Sequence, residues 1–283
     1  MRPADTARLV LLAAIWGASF LFNRITAPAI GPVLTAELRT LIAGIALAAY
    51  FALSGYDVEW RRWWRHYLVV GIFSSALPFL LWAYAALSVT AGVLSVLNAT
   101  SPMWGALCGA LLLRERMGTR RVVGLAIGMA GVALVTSPAG GTTLHYLAVA
   151  AALTAAFSYG LIATYIRRWA SNVPSRGMAA GSQFAAGILL IPLIPLSPPT
   201  VVPAPLIVVS ILALGLLCGA VAYLLYFRLI ADIGATGALT VTYLIPLFGV
   251  LWGALFLGEA LTLPMLAGGV LVVAGTVLVL KTR

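Results

Sequence analysis

Charge is what this 283-residue sequence has least of: charged residues make up 8% of it, against about 25% in a soluble globular chain. Its seven acids are Asp5, Glu37, Asp57, Glu59, Glu115, Asp232 and Glu259, all in loops or near the ends of apolar runs. No ring of carboxylates or filter-like loop is available for a selective ion pore. A carboxylate held deep in the bilayer, as proton-coupled carriers keep, is missing too, with Glu37 the nearest candidate. The two histidines, His66 and His145, fall at opposite membrane edges and cannot serve one another or a buried serine. HExxH and Gly-rich phosphate motifs do not occur. The reading is therefore not an enzyme, with no catalytic residue, no metal and no cofactor. Cys108 and Cys218 both lie within apolar runs without CxxC spacing, as packing residues do.

What is present is apolar. Hydrophobic residues make up 63% of the chain and mean hydropathy is +1.08, which leaves no stretch for a soluble domain. Runs long enough to span a bilayer lie at 8–24, 35–54, 68–88, 91–113, 119–137, 145–166, 177–196, 205–228, 236–257 and 262–280. Each is near the ~20 residues that a hydrocarbon core of about 30 Å demands. The expectation is an all-α integral membrane protein of ten transmembrane helices. The basic start at Arg2 and Arg8 resembles a signal peptide, but the apolar run continues through Trp16 and Phe20 without an A-x-A site, so it should be retained.

A net charge of +10 would suggest nucleic acid as a partner of a soluble protein; here its distribution gives a better account. Arg61, Arg62, Arg65, Arg114, Arg116, Arg120, Arg121, Arg167, Arg168, Arg176 and Arg228 share the even-numbered loops, with Arg2, Arg8, Lys281 and Arg283 at the termini. The opposite side holds essentially Arg24 alone. The positive-inside rule then places both termini in the cytoplasm. Trp60 to Tyr67, which mixes aromatics with basic residues ahead of a span, reads as an anchor on anionic lipid headgroups.

The chain also contains itself twice. A shift of 144 positions brings Pro102 onto Pro246, Gly105 onto Gly249, Gly109 onto Gly253 and Glu115 onto Glu259, then Gly124 onto Gly268 and Gly131 onto Gly275. Shared Pro, Gly and Glu in register indicate a duplication, with one repeat at 1–138 (spans 1–5) and the other at 139–283 (spans 6–10). Five spans is an odd number, so the second copy should lie inverted relative to the first. The loop Arg114–Arg121 carries four arginines, whereas its copy from Gly258 to Met265 keeps only the glutamate. That is the change a loop on the opposite face would need.

Pro102 and Pro246 cannot donate to the carbonyls of Asn98 and Thr242, four residues back. Each repeat should thus have a helix interrupted near mid-membrane, with a freed carbonyl beside a polar side chain facing protein or a water-filled cavity. Paired breaks in inverted repeats point to a transport site and its hinges. Aromatics recur in register as well: Phe79 with Tyr223, Trp82 with Tyr226, Trp104 with Phe248. Arg39, in span 2, either snorkels to the headgroups or lines a cavity. Spans 5 and 10 have no aromatic residue and are rich in glycine, so they should brace neighbours and not line a path.

Two patterns resemble the drug/metabolite transporter superfamily, in its ten-helix branch of paired EamA repeats. One is Ala13-Ala14-Ile15-Trp16-Gly17-Ala18-Ser19-Phe20 in span 1; the other is the Pro102–Glu115 block with its copy at Pro246–Glu259. Within the branch the chain most resembles an exporter of aromatic amino acids. The resemblance implies export of amino acids or related metabolites by alternating access, in a bacterial inner membrane, through a central cavity lined by spans 1, 3, 4, 6, 8 and 9. Trp16, Phe79, Trp82, Trp104, Tyr159, Tyr223 and Tyr243 would stack on the substrate. Asn98, Ser95, Thr242 and the carbonyls released by the prolines would hold its polar groups, with Ser19, Arg39 and Gln183 as further candidates. The partners are then a small-molecule substrate and membrane lipid, without nucleic acid. The sequence sets no oligomeric state, and a monomer is compatible with it. The alternatives are a multidrug or organic-cation exporter, which calls for a deep carboxylate, and a membrane protein that transports nothing.

Overall fold

Hydrocarbon offers a backbone no hydrogen-bond partner, so a chain this apolar must pair its N–H and C=O groups within helices. The computed structural model describes residues 2–136, 142–196 and 203–280; it is helical over nearly all of them, with no strand among the described residues. Nine of its segments are long and apolar enough to cross a membrane. They are span 1 (Pro3–Ile30), span 2 (Pro32–Leu53), span 3 (Trp60–Ala85), span 4 (Ala91–Leu113), span 6 (Thr143–Trp169), span 7 (Ser175–Pro195), span 8 (Pro205–Gly234), span 9 (Gly237–Leu257) and span 10 (Leu263–Leu280). Span 5 (Thr119–Val135) has 17 residues, about 25 Å of helix, and lies along span 10 in the most extensive pairing of the bundle. The repeat boundary expected at 138/139 and the terminal Lys281 and Arg283 lie outside the described residues.

The neighbours of each span obey an exchange rule. Span 1 packs on span 9, and span 6 packs on span 4. Span 3 lies against spans 6 and 7, and span 8 lies against spans 1 and 2. Spans 2 and 7 pair with each other, as do spans 5 and 10. Swapping every span with the one five places on leaves this set unchanged, so the two halves make equivalent contacts.

Small residues permit the closest of these approaches. A methyl group on Gly131 would stand 2.7 Å from the carbonyl oxygen of Gly268, and one on Gly124 2.8 Å from that of Gly275. Spans 5 and 10 therefore meet backbone to backbone. Gly17 of span 1 abuts Gly249 of span 9 in the same manner, as Gly160 of span 6 abuts Gly105 of span 4.

Spans 4 and 9 end alike. Arg114 and Gly258 take left-handed backbone, φ 56° and 66°. The next N–H, of Glu115 or Glu259, donates back to the carbonyl of Gly109 or Gly253 at 3.3 and 3.1 Å. This left-handed turn satisfies a late helical carbonyl; here it sets one glutamate at the end of each fourth helix.

Two features depart from expectation. Span 4 does break beside its proline, between Asn98 and Ser101, but the Asn98 carbonyl is not left unpaired, because the Ser101 hydroxyl donates to it at 2.7 Å. Pro246 sits inside a continuous helix, Val241–Leu257, and the chain breaks earlier, at Thr240. In addition, spans 3 and 8 contain wide π-helical stretches, Ile72–Ala76 and Ala213–Val221, at overlapping positions of the two repeats. In span 3 the Ser158 hydroxyl donates to the carbonyl of Phe73 at 2.6 Å.

Candidate functional site

The π-helical stretches re-aim the residues that follow them, and in both halves those residues are the aromatics. They face a cavity of about 940 Å³ between the halves, at the upper end of the range of ligand pockets, roughly 300–1,000 Å³. Trp16, Ser19, Arg39, Phe79, Trp82, Asn98, Tyr159, Tyr223, Thr242 and Tyr243 all line it, and Pro102 lies on its wall. The rings hold one another. Trp16 stands 5.3 Å from Tyr226 and 6.4 Å edge-on from Tyr223, and Phe20 lies 5.4 Å edge-on to Trp82.

Arg39 does not snorkel. It is 6% exposed, lines the cavity, and its guanidinium lies 3.7 Å over the Phe79 ring, a stacking that suits its flat, weakly hydrated cation.

Ser95, Trp104, Gln183 and Pro246 lie off the cavity wall. Ser95 is fully buried between spans 4 and 9, donating to the Gly92 carbonyl at 2.7 Å. The Trp104 indole donates to the Thr100 hydroxyl at 3.2 Å and packs edge-on against Phe157. Gln183, 1% exposed, lies behind the cavity beside Tyr223. Reasoning from sequence also passed over residues that do line it: Asn23, Ser101 and Thr240, and at one end Glu115, Arg121 and Arg167. Spans 5 and 10, expected to stay clear of any path, contribute Arg121, Val277 and Leu280 there, since their ends reach the mouth even though their middles do not.

The two ends of the cavity differ. Span 4 starts at one and finishes at the other, its 23 residues covering about 34 Å. At its finish the cavity is open. Glu115 pairs with Arg167 at 2.8 Å and Arg121 at 3.6 Å, and all three line the mouth, with the Arg167 side chain about half exposed. At its start the bundle is closed by Glu259, whose carboxylate accepts from the N–H groups of Ala91 (2.8 Å) and Gly92 (3.2 Å) at the helix N-terminus. A carboxylate is stabilised there by unpaired donors and by the helix dipole. Arg24 completes the closure, donating to the Ala86 carbonyl at 2.6 Å with its Nε 3.6 Å from Glu259. Spans 1 and 3 are thereby tied to the loop between spans 9 and 10.

A multi-pass helical bundle around a central cavity, open at one end and tied shut at the other, is the architecture of a membrane transporter. The chain belongs to the EamA-like transporter family, whose model matches it twice, at residues 7–137 and 146–281. It is 28% identical to the uncharacterized transporter YvbV of Bacillus subtilis over 96% of this chain and 90% of that one. It is 28% identical to the uncharacterized inner membrane transporter YedA of Escherichia coli, over 94% of this chain and 87% of that protein. A probable terminal-alkyne amino-acid exporter of Streptantibioticus cattleyicolor is 25% identical, over 96% and 91%. A solved crystal structure shares the fold with a TM-score of 0.68 at 20% identity, covering 98% of this chain and 96% of its own.

Proposed function

We propose that the protein is a secondary transporter that exports amino acids, aromatic and other neutral ones, or related small metabolites. It works by alternating access between two inverted five-span repeats. The observation that carries this reading is the cavity itself, lined by aromatic and polar residues of both halves and closed at one end only. The amino-acid exporter among its relatives supports the cargo, as does the resemblance of its span 1 and Pro…Glu patterns to YddG, an exporter of aromatic amino acids. By the positive-inside rule the arginine-rich loops support a cytoplasmic Glu115 end and cytoplasmic termini in a bacterial inner membrane, an orientation in which the open end would face inward. Outward opening would release Glu259 from the start of span 4 and close the Glu115 end by the equivalent movement, with the break at Pro102 and the helix around Pro246 taking up the bend. The cavity lies within one chain, so a monomer is compatible with this reading.

An organic-cation exporter would need a free carboxylate at depth; among the described residues the one carboxylate on the cavity wall, Glu115, is held by two arginines at the mouth. The test is efflux from proteoliposomes over a panel of labelled amino acids and cationic dyes. Saturable flux of phenylalanine or threonine is expected. Flux of dyes alone, or none at all, would sink the reading.

A further inference from the structure

We propose that Arg39 is the docking group for a carboxylate, so that the cavity selects cargo by a single carboxylate and has no need of an α-amino group. The proposal rests on the transport reading of the cavity and narrows the cargo of that same site.

Among the described residues nothing neutralises Arg39. It forms no ion pair and no hydrogen bond among the described residues, and its Nε is buried without an acceptor. Glu37, two residues away on span 2, lies on another face of the helix and makes no ion pair with it. The ring of Phe79 covers one face of the guanidinium and leaves the N–H edge for a partner. Around it stand Tyr159, Tyr223 and Cys218, none of them a carboxylate. A cation buried in a membrane protein ordinarily pairs with an acid or marks the binding place of an ion. No acid among the described residues pairs with Arg39, so the acid comes with the cargo.

The chemistry of the fork narrows it further. A guanidinium presents two parallel N–H groups that match a carboxylate. One buried arginine balances one negative charge, so a phosphate dianion would leave charge unpaired. An amine without a carboxylate of its own would meet a like charge, and Glu37, the buried carboxylate nearby, does not line the cavity. A second observation agrees. Among the described residues the charged groups of the cavity wall are Arg39, Arg121, Arg167 and Glu115, a positive excess whose field draws anions inward from the mouth. Phe20, Trp82 and Tyr159 then offer an apolar wall to the rest of the acid.

The experiment measures binding to the purified full-length protein by thermal shift and tryptophan fluorescence. Four probes are compared: L-phenylalanine, phenylpyruvate (acid without amine), phenylalanine methyl ester and phenethylamine (amine without acid). Both acids are expected to bind within a few-fold of one another, and both amines about tenfold more weakly or worse. Arg39→Gln should lose about tenfold or more for the acids, while Arg39→Lys, which keeps the charge without the fork, falls between. The wild-type probe series decides the matter even if a variant fails to fold. Amines binding as well as acids, or unchanged acid binding by Arg39→Gln, would overturn the proposal. Phenylpyruvate bound without phenylalanine would leave Arg39 in place and remove amino-acid export. Binding of none of the four would remove both.

Discussion

Asn98 and Trp104 lie six residues apart in the same span, and their fates differ. Asn98 faces the cavity, whereas Trp104 spends its indole N–H on Thr100 and its ring on Phe157. In water-soluble helices polarity separates the faces, but in a membrane lipid and neighbouring helix are equally apolar, and that signal is lost. Composition could therefore nominate the aromatic and polar residues of the spans without saying which way each one points. Trp16, Phe79, Trp82, Tyr159 and Tyr223 could be named from sequence; that Ser95 and Gln183 turn from the cavity could not. The difference is measurable as flux. Asn98→Ala or Trp82→Ala should lower the transport rate about tenfold or more, the loss of over 1.4 kcal/mol of binding. Trp104→Phe should transport near the wild-type rate and lose about 1 kcal/mol of stability with its hydrogen bond.

Elements were easier to read than faces. Every one of the ten expected runs contains a helix, because a run of ~20 apolar residues has few other uses. The glutamates at 115 and 259 were visible as a matched pair, yet the hydrogen bonds of Glu259 to Ala91 and Gly92 join residues more than 160 positions apart, beyond any local pattern. The π-helical stretches left no trace either, since Ile72–Ala76 and Ala213–Val221 share no residue pattern. Between elements, the contact of spans 4 and 6 supports a sharp prediction. A methyl on Gly160 would run into the backbone of Trp104, 2.6 Å from its carbonyl carbon, whereas one on Gly105 would meet the Gly160 Cα at 3.7 Å, an ordinary contact. Gly160→Ala should cost about 1–3 kcal/mol by overpacking. Gly105→Ala should be neutral or stabilising by up to about 1 kcal/mol, as glycine in a helix is replaced. Melting curves in one detergent compare the two directly, and equal losses would count against this helix contact.

For the molecule as a whole, the duplication sets the symmetry and the charges break it. Glu259 is bonded to the start of span 4, while Glu115 is held by Arg121 and Arg167 at an open mouth. Glu259→Gln keeps the shape of the side chain but removes the charge that holds two helical N–H groups and Arg24. Spin labels at Ser88→Cys and Leu261→Cys, both on exposed loop positions at that end, should then report longer and broader distances than in the wild type. Glu115→Gln should leave those distances unchanged. If Glu259→Gln also leaves them unchanged, the bonds around that residue do not hold the end shut.

Arg39 has one more consequence, and it concerns voltage. A cation with no counter-ion among the described residues makes the empty site positive, so any rearrangement that carries the site from one face toward the other does electrical work. Across a full potential of 100 mV that work is about 2.3 kcal/mol for one elementary charge. A cell interior that is negative would thus hold the vacant carrier with its mouth toward the cytoplasm, the side on which an exporter must load. An acid without an amine bound at Arg39 would cancel the charge and free the loaded form from that bias, whereas a zwitterionic amino acid would leave it. A voltage step applied to cargo-free protein in a planar bilayer should displace charge transiently, and Arg39→Gln should abolish the displacement.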